Sequence, residues 1–176
     1  MAGLHCRHQR SKRRRTLMRT IPLTQGYTAL VSDVDYARVV AAGPWYARIG
    51  KCTVYADHTY TKAGKRMLLS MHRFVMREYN PKREVDHRDH NGLHNWRRNL
   101  RKSNRIENTR NSSVRSNNTS GFKGVCWAKS RGKWQAVIVV KDHGTFLGYF
   151  STAKAAAIAY DKAARRLFGR FACTNF

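Results

Sequence analysis

Asp86 and His87 stand side by side in the chain, Asn95 follows eight residues after the histidine, and Asn108 follows twenty-one after it. An imidazole can take a proton from water near neutral pH. A carboxylate is a hard oxygen donor suited to Mg²⁺ or Mn²⁺, and Asn108 offers a second oxygen. Adjacent strand residues point to opposite sides, so Asp86 and His87 would not both ligate one ion from a regular strand. The sensible division puts Asp86 on a cation and His87 on a water. Together they suit hydrolysis of a phosphodiester, which needs a base, a divalent cation on the developing charge and donors to hold the backbone.

The composition points to the same substrate. The chain of 176 residues carries 35 Lys and Arg against 10 Asp and Glu, a formal net charge of +25. The first acid is Asp33, and only Asp142 and Asp161 follow Glu107. The positive charge is therefore spread along the whole chain. That excludes an acidic ligand-binding protein and favours a polyanionic partner, of which double-stranded DNA is one. The four cysteines, Cys6, Cys52, Cys126 and Cys173, form no C-x-x-C pair, so no zinc is expected. The basic start precedes no apolar run, and no stretch is apolar enough to span a bilayer. Reduced thiols, a cytoplasmic setting and a monomer are expected, with no membrane partner.

The elements that must position these residues are short. Residues 1–20 hold seven Lys and Arg and no acid. They read as a disordered arm in which Arg13 and Arg14 touch phosphate, or as a nuclear-import signal. Residues 21–31 read as a strand or hairpin around Gly26. Ser32 is placed to cap a helix over 33–41, with Asp33 and Asp35 in its first turn. Strands are predicted over 45–49, 52–60 and 66–71, and a helix over 72–79 ended by Asn80-Pro81. A strand pair and a helix starting near Ser103 then carry the motif.

Residues 111–120, rich in Asn and Ser, read as a linker between a unit at 21–110 and a module at 121–176. In the module, strands are predicted over 123–127, 133–140 and 145–150. Trp134, Ala136, Ile138 and Val140 share one face of the second strand. A helix capped by Ser151 or Thr152 runs to Phe168 and stops at Gly169, with Ala156, Ala159, Tyr160, Ala163 and Leu167 on one face. The fold class is α+β.

The stretch 72–111 resembles the HNH family of phage and homing endonucleases. The matching residues are His72-Arg73-Phe74-Val75, Asp86-His87, the run from Gly92 to Arg101 and Glu107-Asn108. The gapless alignment places Trp96 at the family's first arginine. The resemblance implies a ββα-metal fold around one divalent cation, Mg²⁺ or Mn²⁺. In it His87 is the general base, Asp86 and Asn108 hold the cation, and Asn95 pins the loop and sets the His87 ring. Arg97, Arg98 and Arg101 are expected to contact DNA. His90 and His94 read as exposed loop histidines touching phosphate, with spare metal ligands as the alternative. His72 is expected to pack beside the site.

Residues 120–176 resemble the apetala-two DNA-binding domain of plant ethylene-response factors. The match rests on Ser120-Gly121-Phe122-Lys123-Gly124-Val125, Gly132-Lys133-Trp134, Phe146-Leu147-Gly148-Tyr149-Phe150 and Ala159-Tyr160-Asp161-Lys162-Ala163-Ala164. It implies a three-stranded antiparallel sheet packed on one helix and laid in the DNA major groove, whose width admits such a ribbon. By position Lys123, Lys129, Arg131, Lys133, Gln135 and Phe146 face DNA, and Trp134 packs in the core. Cys126, Val137 and Val139 replace charged readers, which implies relaxed specificity carried by phosphate contacts. The expected activity is metal-dependent DNA cleavage, with nicking favoured. The alternative is a non-catalytic DNA-binding regulator.

Overall fold

The computed structural model describes residues 17–114, 117–140 and 143–176, so the expectations for Arg13 and Arg14 lie outside the described residues. The described chain is mixed α+β, built from small sheets and a few short helices.

The first hairpin pairs β1 (Met18–Pro22) with β2 (Thr28–Ser32) through a turn in which Gln25 and Gly26 have positive φ. Helix α1 follows at once (Asp33–Ala41), with both acids in its first turn. The Ser32 hydroxyl does not cap it; it accepts a hydrogen bond from the Arg97 backbone N–H at 3.0 Å. Strands β3 (Tyr46–Ile49), β4 (Val54–Lys62) and β5 (Lys65–Ser70) form an antiparallel sheet. Helix α2 is shorter than predicted (Met71–Met76). Arg77 adopts a left-handed φ of 49°, and the Glu78 N–H turns back to the Arg73 carbonyl. The chain therefore leaves the helix well before Asn80-Pro81 would force it out.

Strand β6 (Glu84–His87) pairs antiparallel with β8 (Leu100–Ser103), setting Asp86 opposite Arg101 and His87 opposite Leu100. Between them the two-residue strand β7 (His94–Asn95) lies parallel to β2, the third strand of the first sheet. Helix α3 (Arg105–Arg110) starts from Asn104, whose side chain accepts from the Glu107 N–H while Glu107 reaches back, a reciprocal cap. One core joins all of this: Ile21, Val31, Val39, Trp45, Met71, Val75, Val85 and Leu100 are buried together. The N-terminal hairpin is thus part of the wall against which β6 and β8 lie.

The C-terminal module forms a sheet in the order β11 (His143–Phe150), β10 (Lys133–Val140), β9 (Val125–Ala128), backed by α4 (Ala153–Phe168). The Thr152 hydroxyl caps α4 by accepting from the Ala155 N–H at 3.1 Å. The buried stripe runs through Ala156, Tyr160, Ala164 and Phe168. Leu167, expected inside, is exposed and Ala159 only half-buried. A strict four-residue step selects Phe168, and the bulkier ring wins the core position. Small alanines let the helix come close to the sheet, and Gly124 shows how close. With φ +73°, a Cβ there would sit 2.1 Å from the Tyr160 ring and 2.8 Å from the Val137 carbonyl oxygen.

Gly124→Ala should therefore destabilise the protein by about 2–4 kcal/mol, from strain plus displacement of a packed ring. Thermal denaturation of the variant checks it, and a melting point within a degree or two of wild type would contradict this packing.

Candidate functional site

An open cleft of about 750 Å³ runs between β4, β6 and α3, and its lining includes Tyr55, His72, Glu84, Asp86, His87, His90 and Asn108. Its floor is built by short-range sequence. Glu84 and Asp86 alternate on β6, and His87 ends the strand just before the loop. The loop is held tightly. Asn99 donates to Asp89 Oδ1 and to the His94 carbonyl, and its oxygen accepts from the Asp89 N–H. A Cβ on Gly92 would lie 2.5 Å from the Val54 carbonyl oxygen, so glycine lets the loop press on β4.

His87 is buried, with Nε2 3.3 Å from Asn95 Oδ1, and Asn95 in turn donates to the Gly92 carbonyl. An amide oxygen only accepts, so the ring proton sits on Nε2 and the lone pair on Nδ1. Burial pushes the imidazole below its ordinary pKa; the Asn95 bond and the Asp89 and Asp86 carboxylates offset this only in part. His87 is therefore neutral at pH 7, the form in which it can accept a proton. The edge of His72 meets the His87 ring, centroids 5.1 Å apart, and Tyr55 flanks both. Burial drives His72 down to about 3, and its Nδ1 has no partner among the described residues.

Asp86 is buried and held at both oxygens. Oδ2 receives Arg101 Nε at 2.8 Å, and Oδ1 receives Asn111 Nδ2 at 3.0 Å. Asn111 also donates to the His87 carbonyl at 3.1 Å. The structure thus brings Asn111 to Asp86, whereas Asn108 Nδ2 goes to Glu84 Oε2 at 2.6 Å. Asn111, assigned by sequence to the linker, belongs to the site. The signal available was its spacing, three residues after Asn108 at the end of the same helix. Asn99 was matched within the motif run but given no role, and Glu84, two residues before Asp86, was missed because it carries no distinctive spacing.

Glu84, Asp86 and Asn108 all line the cleft, and the ligands they could offer a cation are oxygens. That chemistry fits a hard divalent cation. Among the described residues, no three His, Cys, Asp or Glu gather into a metal-holding group. A cation here would take one or two carboxylates and complete its shell from phosphate and water, the usual habit of Mg²⁺.

Several expected DNA contacts have other partners. Arg97 forks onto the buried Asp35 at 2.6 and 2.8 Å. Arg101 is buried against Asp86. Lys123 is half-buried and donates through Nζ to the Arg110 and Ser112 carbonyls, and burial lowers its pKa. Arg101 and Lys123 are thereby drawn into the fold, whereas Arg97 is tethered to Asp35 and remains half-exposed. His94 binds Asp89 at 2.6 Å and stacks near Trp96, so it is an internal brace of the loop, while His90 faces the cleft. Arg98, Lys129, Arg131 and Lys133 are exposed, and Gln135 lies half-buried on the sheet face away from α4. Phe146 is exposed there, and Trp134 packs against the module core.

No protein-family model matches the chain, and no solved structure matches it significantly. Among the described residues, no helix is long and apolar enough to cross a membrane.

The two histidines tie stability to pH. His72 stays neutral in the folded chain down to about pH 3 but titrates near 6.5 when unfolded. The unfolded state therefore binds the proton first as pH falls, and stability is lost from about pH 6.5 downward at ~1.4 kcal/mol per unit. Between pH 7 and 5 this amounts to about 2 kcal/mol. Denaturant titrations of wild type and His72→Gln at both pH values check it: the variant should show a flatter pH dependence, and equal slopes would refute the assignment.

Proposed function

We propose that the chain is a metal-dependent DNA endonuclease of the HNH type, of the phage or homing kind, and that it nicks its substrate. In this reading β6, β8 and α3 are a ββα-metal unit, and residues 121–176 are an apetala-two-type module that holds DNA. The observation that carries the reading is one cleft. A neutral His87, oriented by Asn95, faces it together with the Asp86 carboxylate and the Asn108 amide. Strand β6 supplies Asp86 and His87, β7 supplies Asn95 and α3 supplies Asn108.

The roles follow from the atoms. His87 Nδ1 takes the proton from the attacking water, and Asn95 keeps the ring turned so that this nitrogen is the basic one. Asp86 and Asn108 would hold the cation, with Glu84 beside them. A bound divalent cation supplies charge neutralisation on the phosphate and on the leaving oxygen. Exposed Arg98 and the cations at the β9–β10 end of the sheet, Lys129, Arg131 and Lys133, hold the phosphate backbone.

One observation favours the second reading, a non-catalytic DNA-binding regulator: Arg101 already neutralises Asp86. The two separate in a plasmid assay. Purified protein with supercoiled plasmid and Mg²⁺ or Mn²⁺ should yield nicked circles, and chelation should stop the reaction. His87→Ala should slow it by about 10²–10⁴-fold. Asp86→Asn should raise the Mg²⁺ concentration needed for nicking. Retained DNA binding with no nicking by wild type would leave the regulator.

A further inference from the structure

The last turn of the C-terminal module is pressed against the back of the cleft. Arg101 lies opposite Asp86 in the β6–β8 pairing and is 6% exposed. Its Nε donates to Asp86 Oδ2 at 2.8 Å, and Nη2 lies 2.7 Å from the same oxygen as an ion pair without hydrogen-bond geometry. The remaining arm, Nη1, donates to the Arg170 carbonyl, and the guanidinium lies over the Phe171 ring, 4.3 Å from its centroid. Phe171 itself is buried. Three further contacts run along the same seam. Arg110 of α3 lies over Phe168, 4.9 Å from the centroid. Lys123 grips the carbonyls that follow α3. Cys173 Sγ lies 3.8 Å from His90 Nε2, on the motif loop.

We propose that Arg101 is a positioning residue that ties the Asp86 carboxylate to the Gly169–Phe171 turn, so that the C-terminal module helps to build the cleft as well as holding DNA. The consequence for rate rests on the endonuclease reading; the coupling itself does not. A guanidinium is planar, with its N–H groups in a rigid fork. Phe171 fixes the plane from one side, and the Arg170 carbonyl fixes one arm. Nε is then aimed at Asp86 Oδ2, with Nη2 alongside it. The second oxygen, Oδ1, is left to Asn111 and the cleft. Asp86 is thereby oriented from both ends, one end supplied by the module. A module held only by a linker would bury no charge against the centre. The buried pair also makes the arrangement stiff, because separating it would strand a charge.

The test uses the full-length protein and two variants, Phe171→Leu and Arg101→Lys. Leucine keeps an apolar filling but lacks the ring face; lysine keeps the charge but cannot fork. At saturating Mg²⁺, plasmid nicking should lose about 10–100-fold in kcat, the usual scale for a group that orients a ligand. KM for plasmid and Kd for duplex DNA should stay within about two-fold, since neither residue faces DNA. An unchanged kcat in a folded variant, or a loss of DNA affinity equal to the loss of rate, overturns the proposal. Melting curves establish folding, and Phe171→Leu carries the test if the lysine variant unfolds. A second readout needs no cleavage. The Asn111 side-chain amide, which donates to Asp86 Oδ1, should shift in its NMR signal in Phe171→Leu. An unmoved signal overturns the coupling. A shifted signal in a protein that cuts no DNA upholds the coupling and removes the endonuclease reading.

Discussion

A carboxylate set beside an imidazole in a buried strand end must be compensated, because an isolated charge at such a depth costs several kcal/mol. Asp86 meets this condition through Arg101 on the paired strand and Asn111 after α3. Much of the local structure follows from that requirement. The register of β6 on β8 must place the two residues opposite each other. The helix after β8 must end where Asn111 can turn inward. The segment after α4 must arrive to take the third nitrogen of the fork. Asp35, with Arg38 and Arg97, repeats the device at the start of α1 and ties the loop end of the motif to that helix. In a chain with so few acids, most of the buried ones are engaged as structural anchors for arginines.

That scarcity changes how the positive charge should be understood. An excess of cations suggests a uniformly phosphate-seeking surface, yet several arginines serve internal carboxylates and carbonyls. The cations left outward, Arg98, Lys129, Arg131 and Lys133, are exposed. Arg101 and Lys123 are turned inward, onto Asp86 and onto carbonyls at and after the end of α3, while Arg97 stays half-exposed with its fork on Asp35. Net charge therefore overstates the binding surface, because burial and pairing decide which charges a ligand meets.

Where local patterns dominate, the sequence was readable. Helix α1 and strand β10 follow the predicted spans, and α4 runs from its cap to its glycine stop. The proximity of Asp86, His87 and Asn95 was legible because strand, turn and asparagine sit within one short run. What was not legible needed knowledge of distant partners. Ser32 looked like a helix cap, but the Arg97 N–H claims its hydroxyl. Arg77 ended α2 by adopting a left-handed conformation that no residue-type rule anticipates for arginine. Asn111 looked like linker because its neighbours are polar, and Leu167 looked like core because its side chain is apolar. For Ser32 and Asn111 a tertiary neighbour settled the local ambiguity.

The parallel pairing of β7 on β2 brings Leu30 beside His94 and Val31 beside Asn95. Residues far apart along the chain must meet before the loop around Asn95 has a neighbour to rest on. Closing so long a segment costs entropy that is recovered only once the shared core forms. The loop therefore rests on a hairpin that contributes no chemistry of its own. A peptide spanning only β6 to α3 would carry every residue of the opening motif and still lack the strand that gives the loop its shape.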